Sequence, residues 1–88
     1  MGKVAITYSI LPESPEVDID SLLRSVRSAM PKGAELRGSV VNPVAFGLNA
    51  IKILVVVGDE PGIADQVEKN LIELKGVQSV DVVDTELV

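Results

Sequence analysis

Carboxylates are the side chains of this sequence best suited to acid–base chemistry or to holding a hard cation. They form three groups: Asp18 with Asp20, Asp59 with Glu60, and Asp81 with Asp84 and Glu86. A pair of carboxyl groups is the minimum for general acid and base catalysis of the glycosidase type. Each group lies at an expected helix start or near the C-terminus, where the helix dipole favours acidic residues or water solvates them. Capping therefore explains the pairs at the helix starts without a catalytic role.

Other chemistry is poorly supported by the residue types present. The chain has no cysteine and no histidine, so it lacks a thiol nucleophile, a zinc cluster and the usual general base. Neither glycine-rich phosphate motif, G-x-x-x-x-G-K-[ST] or G-x-G-x-x-G, occurs. We therefore expect no enzyme activity and no cofactor. No metal site is assigned, and cation binding at Asp59 and Glu60 stays open because their spacing does not match a calcium loop.

Length and composition indicate one domain over residues 1–88. The chain is 47% hydrophobic, which is enough for a core, and only Tyr8 and Phe46 are aromatic. The net charge of −5 argues against direct nucleic-acid binding, which needs a basic face. The longest apolar run, Ile53 to Val57, is far too short to span a bilayer, and the N-terminal residues show no long apolar stretch of the kind found in a signal peptide. We expect a soluble, cytoplasmic protein without a membrane partner.

Three elements are predicted in the first half of the chain. Alternation of apolar and polar side chains from Lys3 to Leu11 is typical of a strand with one covered face. A helix is expected from its N-cap Asp18 to about Met30, before Pro31-Lys32-Gly33 stops it. A weaker strand follows from Ala34 to Val41, and Gly38 within it suits an edge strand or a bulge.

The second half adds a strand, a helix and a last strand. The stretch from Leu48 to Gly58 is the most β-prone, and its two apolar faces suit a central strand. After the turn over residues 58–62, apolar residues at helical spacing predict a helix from Ile63 to Leu74, and Gly76 suits its C-terminal end. The closing strand is expected from Val77 to about Asp84. Simple alternation places Val80 and Val82 on its one face and Asp81 and Val83 on the other.

The order βαββαβ predicts an α+β, ferredoxin-like sandwich. A strand, a turn containing proline and acidic residues, and an amphipathic helix occur twice, and two such units give a split βαβ arrangement. The expected sheet has four antiparallel strands in the order 4-1-3-2, with both helices on one face. The opposite face is then bare or available to a partner.

The loop Asn42-Pro43-Val44-Ala45-Phe46-Gly47 is the most informative segment for binding. Its aromatic residue stands between Pro43 and Gly47, where the weak strand leads into the strongest one. Phe46 is expected either to cap the core or to be an exposed anchor, the residue type that dominates protein interfaces. Gly47 would let the backbone bend or approach a partner closely.

Three collinear segments resemble the exchange domain of the elongation factor 1-beta family, in its short archaeal form. The first is Asn42-Pro43-Val44-Ala45-Phe46-Gly47-Leu48 followed by the strand and acidic turn of residues 51–59. The second, residues 10–18, resembles the family's first strand-to-helix turn, and the third, residues 76–82, resembles its closing strand. The resemblance covers essentially the whole chain.

The resemblance implies exchange of GDP for GTP on elongation factor 1-alpha, the GTPase that delivers aminoacyl-tRNA. Such a factor would work without covalent chemistry, by docking next to the nucleotide and magnesium site of the GTPase. Carried over to this sequence, Phe46 is the aromatic contact with the partner, and Pro43 and Gly47 shape its loop.

One departure from the family pattern lies at the C-terminus. Eukaryotic relatives carry a lysine there that reaches toward the magnesium site, whereas this sequence has Leu87, with Glu86 and Val88 beside it. No lysine follows Lys75. We expect these three C-terminal residues to contact the partner. Three alternatives stay open: shape and Glu86 replace the lysine, another group replaces it, or activity is lost.

A small-molecule-binding regulatory module of ACT type is the alternative, because it uses the same element order. Such a module would want a glycine-bearing turn after the first strand. The turn Pro12-Glu13-Ser14-Pro15 supplies no glycine, which counts against this alternative.

Overall fold

The described part of the chain contains six elements in the predicted order βαββαβ. They are seen in a computed structural model that describes residues 2–44, 47–58 and 62–87. The elements are β1 (Lys3–Pro12), α1 (Ile19–Ser28), β2 (Ala34–Pro43), β3 (Asn49–Gly58), α2 (Ile63–Ile72) and β4 (Val77–Leu87). Neither helix is long and apolar enough to cross a membrane.

The four strands form one antiparallel sheet in the order β2-β3-β1-β4. This order is the predicted 4-1-3-2, and the ferredoxin-like fold is confirmed. β1 is central and pairs on both sides, so that Ile6 lies between Val55 on β3 and Thr85 on β4. The weak strand β2 is at an edge, and its pairing shifts by one residue between Leu36 and Gly38. An edge position and a bulge are what glycine within a weak strand indicates.

Both helices pack on the same face of the sheet and enclose an aliphatic core. Alternate residues of β1 and β3 point toward the helices, as the period of two predicts. Complete burial of one such aliphatic side chain stabilises the fold by about 1.5–3 kcal/mol. The buried core residues are Ile6, Tyr8 and Ile10 of β1, Ile51, Ile53, Val55 and Val57 of β3, Leu22 and Val26 of α1, Val67 and Leu71 of α2, and Val77 and Val80 of β4.

The first helix begins as predicted and ends earlier than predicted. The Asp18 carboxylate accepts hydrogen bonds from the backbone N–H groups of Asp20 and Ser21, at 3.0 and 3.4 Å, which satisfies two N–H groups of the first turn. The helix ends at Ser28 and not at about Met30. The reason is local, because the residue before a proline avoids the helical conformation and residue 31 is a proline.

The strands β2 and β4 are longer than predicted. Asn42 and Pro43, expected in a loop, continue β2 by pairing with Ala50 and Asn49. β4 continues to Leu87 instead of ending near residue 84. In both cases a neighbouring strand offers unpaired backbone groups, and pairing satisfies the N–H and C=O groups of both strands. The alternation of side chains in the sequence does not reveal how far such backbone pairing extends.

Tyr8 is the only residue with a polar side-chain group in the core that the described residues form. Its side chain is 1% exposed, and its hydroxyl donates to the carbonyl oxygen of Ala64 in the first turn of α2, at 3.3 Å. Burial raises the pKa of the phenol above its ordinary value of 10.0, and the negative charges of Glu68 and Asp65 raise it further. The hydroxyl therefore stays protonated to a higher pH in the folded protein than in the unfolded chain.

A first prediction concerns Gly33, which turns the chain between α1 and β2. Its φ is +96°, and a Cβ atom there would lie 2.8 Å from Cδ1 of Ile63. We expect Gly33→Ala to lower the free energy of unfolding by about 1–3 kcal/mol, since both the left-handed conformation and the contact are unfavourable. Urea unfolding measures the change. Gly38→Ala is the control, because its Cβ would meet nothing within 4 Å; an equal loss in both variants would contradict this explanation.

A second prediction follows from Tyr8. Because its folded-state pKa is raised above 10.0, its contribution to stability is fully present below pH 10 and is lost as the pH rises through the folded-state pKa. We expect the free energy of unfolding of the wild type to fall more than that of Tyr8→Phe between about pH 9 and about pH 11. Urea unfolding at the two pH values measures this difference. An equal fall in both proteins would show that Tyr8 ionisation has no part in it.

Candidate partner-binding site

Four of the residues predicted to bind a partner are described, and they lie at two opposite ends of the sheet. Pro43 pairs with Asn49 at the end of the β2–β3 hairpin, level with Pro12 of the central strand. Leu87 pairs with Val4 at the other end of that strand. The eight residue steps from Val4 to Pro12 correspond to about 26 Å at about 3.3 Å per residue. These four described residues therefore do not form one site.

The hairpin end, defined here as Pro43, Val44, Gly47 and Leu48, is held by a short backbone contact. The N–H of Val44 donates to the carbonyl oxygen of Leu48 at 2.8 Å. Pro43 is exposed, and an edge strand tolerates it because its missing N–H is not needed by a further strand. Phe46 lies outside the described residues, so both of its expected roles stay predictions.

Gly47 is required at the hairpin end by its conformation. Its φ is +76°, and a Cβ atom there would meet no atom within 4 Å. Space is therefore not the reason for glycine, whereas a left-handed backbone is, because other residues rarely adopt it. The expected role of Gly47 in shaping a partner-binding loop stays a prediction.

The C-terminal end, defined here as Val4, Thr85, Glu86 and Leu87, exposes two different surfaces. Leu87 is 87% exposed and lies on the helix-bearing face beside Val4. Glu86 pairs with Ala5 and points to the bare face. Neighbouring residues of a strand point to opposite faces, so a partner that contacts both must reach around the end of β4. Val88 lies outside the described residues.

A bulge in β4 decides which side chains share a face. Thr7 pairs with Asp84 and Tyr8 with Val82, which leaves Val83 as the extra residue. Val80 and Val82 share one face and Asp81 lies on the other, as expected, but simple alternation does not continue past Val83. The bulge places Asp84 and Glu86 with Asp81 on the bare face, and it places Thr85 and Leu87 on the helix-bearing face.

The bare face carries an acidic edge and an apolar strip. The acidic edge is the β4 row of Asp81, Asp84 and Glu86, all exposed. Val40 on β2 and Leu54 on β3 lie on the same face and are 58% and 39% exposed. No described element covers this face, in agreement with the sequence-based expectation.

A cleft of about 480 Å³ opens between α2 and β4 on the helix-bearing face; we call it the α2–β4 cleft. Its floor consists of apolar side chains of the central strands, and one wall is the first half of α2. Sequence reasoning did not single it out. The residues used below are Val4, Ile6, Tyr8 and Val82 of the floor, Thr85 of the β4 wall, and Asp65 and Glu68 of the α2 wall.

The charge of the α2–β4 cleft is uncompensated. Among the described residues that line it, none is lysine or arginine. Asp65 and Glu68, three residues apart on one face of α2, have no ion-pair or side-chain hydrogen-bond partner within the described ranges. Burial is the main cause of the raised pKa of Tyr8, and the negative charges of Glu68 and Asp65 raise this pKa further. The sequence feature that could have indicated this cleft is the Asp-x-x-Glu spacing of Asp65 and Glu68 in the predicted second helix. Helices were expected to cover the face of the first strand that carries Tyr8.

Metal binding has no support in the described part of the chain. Within residues 2–44, 47–58 and 62–87, no group of three or more His, Cys, Asp or Glu side chains converges in a way that would hold a metal ion. Asp59 and Glu60, for which cation binding was left open, lie outside these ranges.

Two solved structures of other proteins share this fold. The ACT domain of GTP pyrophosphokinase from Chlorobium tepidum superimposes with a TM-score of 0.66 over 92% of this chain and 99% of that one, at 15% sequence identity. The C-terminal domain of the MgtC protein from Mycobacterium tuberculosis gives a TM-score of 0.59 over 99% of this chain and 88% of that one, at 16% identity. At such low identity the likeness shows the fold alone.

Sequence comparison goes further than the fold. Residues 5–88 match the family described as EF-1 guanine nucleotide exchange domain. Elongation factor 1-beta of Methanoculleus marisnigri is 44% identical over 88 residues, which is 100% of both chains. Its counterparts from Methanococcoides burtonii and Methanothermobacter thermautotrophicus are 43% and 39% identical, each over 96% of this chain and 94% of the relative. The chain aligns with archaeal elongation factor 1-beta proteins over nearly the whole length of both chains. It therefore belongs to the EF-1 guanine nucleotide exchange domain family.

Proposed function

We propose that this chain promotes the exchange of GDP for GTP on elongation factor 1-alpha by docking next to its nucleotide and magnesium site. The observation that carries the proposal is the family match over residues 5–88, together with relatives named elongation factor 1-beta that align end to end. A factor with this role in translation would act in the cytoplasm. It would not be an enzyme in the usual sense, because no covalent bond in the protein or the nucleotide needs to change.

Exchange of this kind rests on differential affinity. A protein that binds two states of the GTPase equally well shifts nothing between them. A factor that binds the nucleotide-free state about tenfold more tightly than the GDP state weakens GDP binding by the same factor, because the coupling is reciprocal. No acid, base or nucleophile is needed, which is consistent with a chain that lacks cysteine and histidine.

The two ends of the sheet support docking at two points. About 26 Å of paired strand lies between the hairpin end and the C-terminal end, and β1 is paired on both sides from Val4 to Ile10. Such a sheet is a stiff spacer. We propose that the hairpin end, with Phe46, Pro43 and Gly47, anchors the chain on the GTPase while the C-terminal end lies at the nucleotide and magnesium site.

The C-terminal end would act without a lysine. Leu87 is exposed and lies on the helix-bearing face, so it can fill space beside the nucleotide pocket by shape alone. Glu86, on the other face, would place a carboxylate where it competes for the magnesium ion or repels a phosphate. Val88 would extend the same contact.

The ACT-type alternative gains no support from the solved ACT domain. That likeness is one of fold, at 15% identity, and the strand-to-helix turn at residues 12–15 contains no glycine. An increase in the melting temperature on addition of an amino acid would be needed to support this alternative.

The proposal is tested by release of a fluorescent GDP analogue from elongation factor 1-alpha. We expect the chain to accelerate release in a saturable manner. Phe46→Ala should weaken docking by about 2 kcal/mol or more, as at an interface hot spot, and should leave the free energy of unfolding unchanged. If saturating wild-type chain releases GDP no faster than spontaneous dissociation, the proposed function is wrong.

The matched control for Phe46→Ala is Val83→Ala. Val83 is an apolar residue that is 52% exposed, and it lies at the β4 bulge, away from both ends of the sheet. Its truncation should change neither docking nor release. If Phe46→Ala instead unfolds the protein, the aromatic ring is a cap of the core and not an anchor.

A further prediction concerns the C-terminal end. Because Leu87 is 87% exposed, Leu87→Ala should leave stability nearly unchanged, while slowing GDP release about three- to tenfold by removing a contact made at the nucleotide site. The ratio of release rates at saturation measures this effect. Leu87→Lys, examined in parallel, tells whether charge at this position helps or hinders. An unchanged rate in Leu87→Ala would exclude this residue from the mechanism.

A further inference from the structure

We propose that the α2–β4 cleft receives a lysine or arginine side chain of the GTPase on which this chain acts. The inference rests on the proposed function, and it adds a third contact beside the hairpin end and the C-terminal end. It assigns a binding role to Asp65, Glu68 and Tyr8.

The shape of the cleft suits the stem of a long cationic side chain. Its floor is formed by Val4, Ile6 and Tyr8, with Val82 at the side of β4. The methylene groups of lysine or arginine bury readily along apolar surface while the charged head stays near polar groups. A volume of about 480 Å³ is ample for one such side chain and too open to hold a small molecule on all sides.

The charges of the cleft select a cation. Asp65 and Glu68 stand on one wall, and no lysine or arginine lines the described part of the cleft. Neither carboxylate is neutralised by a described neighbour. An anion or a nucleic-acid phosphate would be repelled, whereas an ammonium or guanidinium group gains charge-assisted hydrogen bonds from both carboxylates. The Tyr8 ring is 1% exposed and closes the floor of the cleft below them.

The position of the cleft favours a side chain of the GTPase over a free amine. Val4 belongs both to the cleft floor and to the C-terminal end, and Thr85 forms the β4 wall beside it. A protein docked at the C-terminal end therefore lies against the mouth of the cleft. Val82 is 51% exposed, so the entrance on the β4 side is accessible to such a partner.

The test uses isosteric variants that remove only the charge. Glu68→Gln and Asp65→Asn, singly and combined, are compared with wild type for affinity to elongation factor 1-alpha and for GDP release. We expect the double variant to bind about tenfold more weakly, with a smaller dependence of affinity on salt. Glu68→Lys should bind more weakly still, because it places a like charge in the cleft.

The control is Glu73→Gln, which removes the same charge at the C-terminal end of the same helix, away from the lining of the cleft. Circular dichroism melts of all variants separate loss of folding from loss of binding. If the double variant binds and exchanges like Glu73→Gln, the inference is overturned while the proposed function stands. If wild type neither binds the GTPase nor accelerates GDP release, both the inference and the proposed function are wrong.

A second readout observes the cleft itself. Tyr8 is the single tyrosine of the sequence, so its ring resonances can be followed by NMR in a complex with unlabelled GTPase. We expect them to shift on binding in wild type and in Glu73→Gln, and to shift much less in the double variant. Ring resonances that do not move when wild type binds would show that no side chain enters the cleft.

Discussion

The pairing of β1 with both of its neighbours is the constraint on which the rest of the structure depends. From Val4 to Ile10 this strand is matched residue by residue to β3 on one side and to β4 on the other. Its alternate side chains are the centre of the core beneath the helices, and Tyr8 reaches from there to the first turn of α2. Because a shift by one residue would move every apolar side chain to the wrong face, this register is strongly specified.

The same pairing separates the two surfaces proposed to dock on the GTPase. β3 and β4 run antiparallel to β1, so the β2–β3 hairpin and the C-terminus emerge at opposite ends of the sheet. The chain thereby presents two distant surfaces in a fixed relation, which suits the proposed action through differential affinity. The β4 bulge then determines which face each C-terminal side chain lies on. Glu86 lies on the bare face, and Leu87 lies on the face where the α2–β4 cleft opens.

Local sequence patterns were sufficient to predict the sheet order and the core. They were insufficient for features that depend on pairing between segments distant in sequence. The alternation in β1 and β3, the Asp18 cap and the left-handed Gly76 are properties of short stretches, and each was predicted correctly. The length of β4 and its bulge depend on what β1 offers across the sheet, so the face of Asp84 and Glu86 was not predictable from alternation. The cleft was not predictable for the same reason, because Tyr8 and Glu68 are distant in sequence and come close only in the folded chain. The roles of Pro43, Phe46, Gly47, Glu86, Leu87 and Val88 at an interface remain predictions.

The central claim is that this chain prefers the nucleotide-free GTPase, and calorimetry tests it most directly. Titration of the chain into elongation factor 1-alpha is compared for the nucleotide-free protein and for the protein saturated with GDP and magnesium. The account predicts that the dissociation constant is at least about tenfold lower for the nucleotide-free form, since that ratio is the coupling that expels GDP. Equal dissociation constants for the two forms would contradict it, because a ligand with no preference between two states cannot shift their populations.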